Sequence, residues 1–299
     1  MKVNVLIQPV NVRKLLILLF LLVKVPLTIY SQEAVRIWSG IKGTYSQQRA
    51  RLDIYLPEDD GQKHPAVIIC PGGSYCYLGV CNEGYEVAEW FQQKGVAAFV
   101  LHYRTGLFGN HYPTMIQDLQ RSIQLVRENA NIYAIDSAQV GLMGFSAGGH
   151  LVGTAGIYYT ENFMSPLDIT PLVSLRPAFV AMIYPVVTMH EPLVHQKSRR
   201  NLLTRHPSEE LIRKLSLEEN LHLGVPPVFI LACKDDKTVH VGNTQLFVQG
   251  LKEKGLPHEA HVFDKGNHGF GLYPAKDADS ENWINLFWVW MNKVLRSQL

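Results

Sequence analysis

Apolar and polar positions follow two rhythms along the 299-residue chain. Short runs over 65–70, 96–101, 140–144, 178–185 and 227–233 are almost continuously apolar, the pattern of strands covered on both faces. Between them, 83–94 places Val87, Trp90 and Phe91 on one helical face, and 113–129 does the same with Ile116, Leu119, Ile123 and Val126. Residues 242–254 form a further expected helix, stopped by Gly255, and 279–295 a last one with Trp283, Leu286, Phe287 and Trp290 inward. Residues 258–263 read as the last strand. Over 51–57 apolar and polar residues alternate, as in a half-buried antiparallel strand near a sheet edge. Strands alternating with helices predict an α/β fold with a mostly parallel, doubly wound sheet, helices on both faces and right-handed crossovers. The rhythm breaks over 188–225, a polar and basic stretch around a helix expected at 207–217. This is read as a small helical insertion over the strand ends, with Lys197, Arg199 and Arg200 on a solvated face.

The first residues obey neither rhythm. Arg13-Lys14 precede an apolar run from Leu15 to Val23, followed by Pro26 and a polar Tyr30-Ser31-Gln32. The run is short of the roughly 20 residues needed to cross a bilayer and has the form of a signal-peptide core. The expected division is a signal peptide over 1–31 and one catalytic domain over 32–299. That implies a periplasmic or secreted protein with no stable membrane insertion after cleavage. The four cations of this leader are matched by no acid, so the formal net charge of +2 becomes −2 for the rest. A near-neutral body offers no electrostatic basis for binding nucleic acid. Of the cysteines, Cys70 and Cys233 end apolar runs and are expected to be buried thiols. Cys76 and Cys81 are close enough in sequence to pair in an oxidising compartment if geometry allows.

The candidate chemistry lies where the apolar runs stop. Run 140–144 leads into Gly144-Phe145-Ser146-Ala147-Gly148, after which small residues open a helix. A serine on so tight a turn leaves no room for side chains two positions before or after it, which Gly144 and Gly148 satisfy. The turn raises Ser146 above the sheet at a helix N-terminus, where the Ala147 N–H can meet a developing oxyanion. Run 65–70 ends in Pro71-Gly72-Gly73-Ser74-Tyr75, a turn whose backbone N–H groups at Gly73 and Ser74 can serve as further donors. Run 227–233 is followed by Asp235 and Asp236, and the last strand by His268 between Asn267 and Gly269. A serine hydroxyl needs an imidazole to take its proton, and the imidazole needs a carboxylate to hold its tautomer. Ser146, Asp236 and His268 occur in that order, after the strands expected over 140–144, 227–233 and 258–263. Asp236 is preferred to Asp235 because Val239 completes an Asp-x-x-Val arrangement; Asp235 is expected to cap the turn. His258 and His261 fall on opposite faces of a strand and cannot chelate one metal, and His150 is expected to be packed. No metal site and no cofactor are predicted.

These residues, with Glu83-Gly84, Tyr103-Arg104, Gly149-His150-Leu151, Pro226-Pro227 and Gly269-Phe270-Gly271, resemble the α/β-hydrolase superfamily. Within it they resemble exported carbohydrate esterases of the acetyl-xylan-esterase-like branch, related to the hormone-sensitive-lipase and dienelactone-hydrolase groups. The chain departs from that pattern at Ser74, where a third glycine is usual, and at His240, where a proline is usual. The resemblance implies a serine esterase that removes short acyl groups, foremost acetyl, from a small-molecule or polysaccharide ester. It implies Ser146, Asp236 and His268 as the triad and Gly73, Ser74 and Ala147 as the oxyanion hole. Tyr75 and His195, the latter in the insertion, are expected substrate contacts. The alternatives are a peptidase or lipase of the same fold, or a non-catalytic binding protein built on it.

Overall fold

The computed structural model describes residues 33–41 and 49–297; the expected signal peptide lies outside them. Among the described residues eight strands form one sheet. They are β1 (Glu33–Arg36), β2 (Arg51–Tyr55), β3 (His64–Cys70), β4 (Ala97–His102), β5 (Ile135–Phe145), β6 (Val180–Ile183), β7 (Val228–Cys233) and β8 (His258–Phe263). Their spatial order is β1-β2-β4-β3-β5-β6-β7-β8. β2 pairs antiparallel with β1 and β4, and all later pairings are parallel. Helices α1 (Glu86–Gln93), α2 (Thr114–Glu128), α3 (Ala147–Ile157), α4 (Gln196–Leu203), α5 (Glu209–Lys214), α6 (Gly242–Glu253) and α7 (Trp283–Arg296) connect or follow the strands. The expected α/β-hydrolase architecture is therefore present. None of the described helices is long and apolar enough to cross a membrane.

The continuous apolar runs have a direct cause. Along β3, Ala66, Ile68 and Cys70 enter one core with α2, α3 and α6, while Val67 and Ile69 enter the other with α1 and α7. Because both faces are covered, alternate positions cannot be polar. Fully buried Phe91, Phe179 and Phe287 meet edge-on in the second core, each burial contributing about 2 kcal/mol.

Strand β2 departs from its alternation. Asp53, a polar position expected to face water, is 3% exposed. It accepts hydrogen bonds from Arg51 Nε at 2.8 Å, His102 Nε2 at 2.7 Å and Tyr85 Oη at 3.2 Å. Burial opposes its charge, but these donors outweigh it and lower the carboxyl pKa to about 2. The insertion is more helical than expected, since α4 precedes α5, and Ser198, Leu202 and Leu203 of α4 are buried.

The parallel register sets Cys70 beside Gly144, Phe145 beside Ile183 and Cys233 beside Phe263. The carboxyl ends of β3, β5, β7 and β8 thus share a rim, and the loops leaving it carry the candidate residues.

Candidate active site

At the end of β5 the chain turns through Ser146 with φ 53° and ψ −116°, a strained conformation for a residue with a side chain. Neighbouring backbone holds it there: Ser146 N–H donates to Ile183 O at 2.9 Å, and Ser146 O accepts from Val186 N–H at 3.2 Å. The flanking glycines are obligatory. A Cβ on Gly144 would lie 2.1 Å from Gly148 O, and one on Gly148 would lie 2.0 Å from Cys70 O.

His268 reaches Ser146 from the β8 loop, with Nε2 2.9 Å from Ser146 Oγ and Nδ1 2.6 Å from Asp236 Oδ2. Since a carboxylate only accepts, Nδ1 carries the proton and Nε2 is free to accept from the serine hydroxyl. The other oxygen of Asp236 accepts from the N–H groups of Thr238 and Val239 at 2.8 and 2.9 Å, which aims the carboxylate at the ring. Asp235 does not touch the ring. It accepts from Gly266 N–H at 3.1 Å and Asn267 N–H at 2.7 Å, so the turn it caps is the histidine loop and not its own.

The β3 loop closes over the same point. A Cβ on Gly72 would sit 2.9 Å from Ser146 Cβ, so only glycine permits this approach. Gly73 has φ +128°. Among the described residues no backbone acceptor engages the N–H of Gly73 or Ser74, and Ala147 is the first residue of α3, where an N–H has no intrahelical partner. None of the three expected donors is therefore engaged by a backbone acceptor among the described residues.

The two expected substrate contacts differ. Tyr75 is 1% exposed, and the structure corrects its assignment. Ser74 and Tyr75 both have φ 57°, and this double left-handed turn sends the Tyr75 ring into the core. There its hydroxyl lies 2.8 Å from His150 Nδ1, leaving no surface for a ligand. His195, at the start of α4, is partly buried with Nδ1 2.8 Å from Ser198 Oγ. Burial lowers its pKa, and the nearby His268 and Lys197 lower it further against the pull of Asp236. It therefore stands within electrostatic reach of the triad, in surroundings that disfavour its charged form.

A second tier escaped the sequence reading. Glu83, 5% exposed, accepts from Gly72 N–H at 2.8 Å through one oxygen and from Tyr184 Oη at 2.8 Å through the other. Tyr184 Oη accepts from Gly271 N–H at 2.9 Å, and its ring lies 4.8 Å from the His268 ring. Burial raises the Glu83 pKa, countered by its hydrogen bonds and by His268. The only available signal was the Glu83-Gly84 pair within the resemblance, to which no role had been attached. Cys76 and Cys81 are both free thiols.

The BD-FAE family profile matches residues 52–251, two thirds of the chain. The chain belongs to the BD-FAE family. An endo-1,4-beta-xylanase B of Butyrivibrio fibrisolvens is 35% identical over 78% of this chain and 36% of its own length. An acetylxylan esterase of Xylanibacter ruminicola is 31% identical over 75% of this chain and 44% of its own length. The chain thus spans less than half of either curated relative. Among solved structures, an acetyl ester-xyloside bifunctional hydrolase of Caldicellulosiruptor lactoaceticus superposes with a TM-score of 0.79 at 30% identity, covering 88% of this chain and 96% of that one. In this BD-FAE protein the residues at the rim, Ser146, His268 and Asp236, belong to a fold shared with esterases over nearly the whole domain.

Proposed function

We propose that this BD-FAE protein is a serine carboxylic ester hydrolase that removes short acyl groups, foremost acetyl, from carbohydrate esters, and that it acts outside the cytoplasm after export by its N-terminal leader. The observation that carries the reading is the unbroken relay from Ser146 Oγ through both nitrogens of His268 to Asp236, at 2.9 and 2.6 Å. The acetyl and carbohydrate parts draw support from the acetylxylan esterase and the acetyl ester-xyloside hydrolase that the chain resembles.

In this mechanism Ser146 Oγ attacks the ester carbonyl while its proton passes to His268 Nε2, and Asp236 stabilises the imidazolium. The oxyanion is received by the N–H groups of Ala147 and Gly73, with Ser74 beside them, each donor contributing about 10²–10³ in rate. Collapse expels the sugar oxygen, which takes the proton from His268. Water, deprotonated by the same nitrogen, then attacks the acyl-serine, releasing acetate and restoring Ser146.

The test is hydrolysis of 4-nitrophenyl acetate, butyrate and decanoate, of an aminoacyl anilide, and of acetylated xylo-oligosaccharides, by wild type and Ser146→Ala. Acetate esters are expected to be the best substrates and Ser146→Ala to lose essentially all turnover. Preference for decanoate or the anilide, or activity that survives the substitution, overturns the reading.

A further inference from the structure

A cleft of about 650 Å³ opens beside the β3 loop, walled by Arg49, Arg51, Tyr77, His102, Leu107 and Phe108. That volume is in the range of small-molecule sites. One short stretch of chain, the β3 loop, lies between it and the candidate active site. Gly72 packs on Ser146, and a Cβ on Gly73 would meet Tyr77 O at 2.1 Å and the Tyr77 ring at 3.1 Å. Tyr77 therefore separates the oxyanion loop from the cleft.

Two features of the lining point to a ligand. Tyr77, Leu107 and Phe108 are 55%, 63% and 62% exposed, and all three line the cleft. Large side chains left in water singly are ordinary, whereas a contiguous group beside a reactive centre marks a binding surface. Flat rings with polar neighbours, here including Asn110, suit the apolar faces and hydroxyl edges of a sugar. The second feature is charge. Arg51 is paired with Asp53 and Arg104 with the buried Asp118. Arg49 lies 4.5 Å over the Phe108 ring and is in none of the ion pairs formed among the described residues. Lys197 Nζ lies 5.5 Å from the Tyr77 ring, adding a second cation at the boundary. The cleft thus joins aromatic side chains to a guanidinium with no acidic partner among the described residues, whose planar fork matches a carboxylate.

We propose that this cleft binds the alcohol portion of the ester, and that the portion it selects is an oligosaccharide bearing a uronic acid, with Arg49 on the carboxylate and Phe108 and Tyr77 against the sugar faces. The assignment rests on the esterase reading for its orientation toward Ser146, but the binding itself does not require turnover.

Calorimetric titration of the full chain with xylotriose carrying one glucuronic acid, and with the same compound reduced at the carboxyl group to the alcohol, separates the two. The acidic compound is expected to bind about tenfold more tightly, as one partly exposed charge-assisted contact gives. Raised salt and Arg49→Gln should each erase that preference, and Phe108→Ala should weaken both compounds. Equal affinity for the two, no binding of either, or a preference that survives Arg49→Gln overturns the proposal. Wild-type turnover of 4-nitrophenyl acetate reports separately on the esterase reading: turnover without sugar binding removes the subsite alone, and selective binding without turnover removes the esterase alone.

Discussion

Glu83 and Tyr184, 101 residues apart in the chain, meet at 2.8 Å beneath the His268 ring. Through this contact one buried carboxylate ties the β3 loop, held at Gly72 N–H, to the histidine loop, held at Gly271 N–H. The two loops that must keep register with Ser146 are thereby braced against each other, and Glu83 and Tyr184 act as positioning residues. Tyr184→Phe keeps the ring under His268 but leaves Glu83 Oε1 and Gly271 N–H without their partner. The expected result is a loss of about 2 kcal/mol of stability and a fall of about tenfold in kcat on 4-nitrophenyl acetate with KM little changed. A denaturant melt with an unaltered kcat would reduce the pair to a structural role.

The adjacent aspartates should separate cleanly in kinetics. Asp236→Asn replaces the oxygen that accepts from His268 Nδ1 with an amide able to donate, favouring the wrong imidazole tautomer. A fall of about 10⁴-fold in kcat is expected with the fold intact. Asp235→Asn retains one acceptor for Gly266 and Asn267 but loses the charge, so the histidine loop loosens and kcat falls by less than about tenfold. Single-turnover rates of the two variants on the same ester decide it; comparable losses would mean that the relay is not the one described.

How far the chain could be read in advance depended on the reach of each interaction. Ser146, Asp236 and His268 each follow an apolar run, and the run, the turn and the reactive residue are neighbours in sequence, so their convergence followed from the sheet's connectivity. Glu83 could not be read this way, because a glutamate at the start of an amphipathic helix looks solvated until its partners 11 and 101 residues away are known. Asp53 failed for a similar reason, its burial being compensated by Arg51 on its own strand together with His102 and Tyr85, 49 and 32 residues away. Tyr75 misled because an aromatic residue after a glycine turn reads as exposed, whereas two successive left-handed residues drive it inward. Helix α4 was hidden by Lys197, Arg199 and Arg200, which outnumber the Leu202 and Leu203 it buries.

Two kinds of tight position around the site predict opposite signs. Gly148→Ala puts a methyl group 2.0 Å from the backbone oxygen of Cys70, which no side-chain movement can relieve. A destabilisation above about 3 kcal/mol, or loss of soluble protein, is expected. Ser74→Gly instead removes a side chain from a residue at φ 57°. The relief of left-handed strain exceeds the added freedom of the unfolded chain, giving about 0.5 kcal/mol of extra stability with activity retained, since the backbone donor remains. Urea midpoints of both variants test the pair, and a destabilised Ser74→Gly would show that the serine side chain is itself a structural contact.

Buried His150 sets an acid limit on the fold. Its Nε2 lies 2.8 Å from Leu215 O, which can only accept, so the proton sits there and Nδ1 accepts from Tyr75 Oη. Burial lowers its pKa to about 4 from an ordinary 6.5, against the pull of the Leu215 carbonyl. The unfolded chain therefore binds a proton at a pH where the folded chain does not. The stabilisation is complete above pH 6.5 and is lost as pH falls toward 4, amounting to about 3 kcal/mol. Asp53 acts in a lower window, its contribution present above pH 3.8 and lost as pH falls through about 2. Glu83 acts with the opposite sign, because its raised pKa makes ionisation unfavourable to the fold as pH rises. The His150 contribution is therefore isolated by difference. His150→Gln, whose amide can still donate to Leu215 O, should flatten the rise of unfolding free energy between pH 4 and 6.5 by up to one proton's worth of slope. Denaturant titrations of wild type and variant across that range measure it directly, and parallel curves would show that the imidazole is already able to charge in the folded protein.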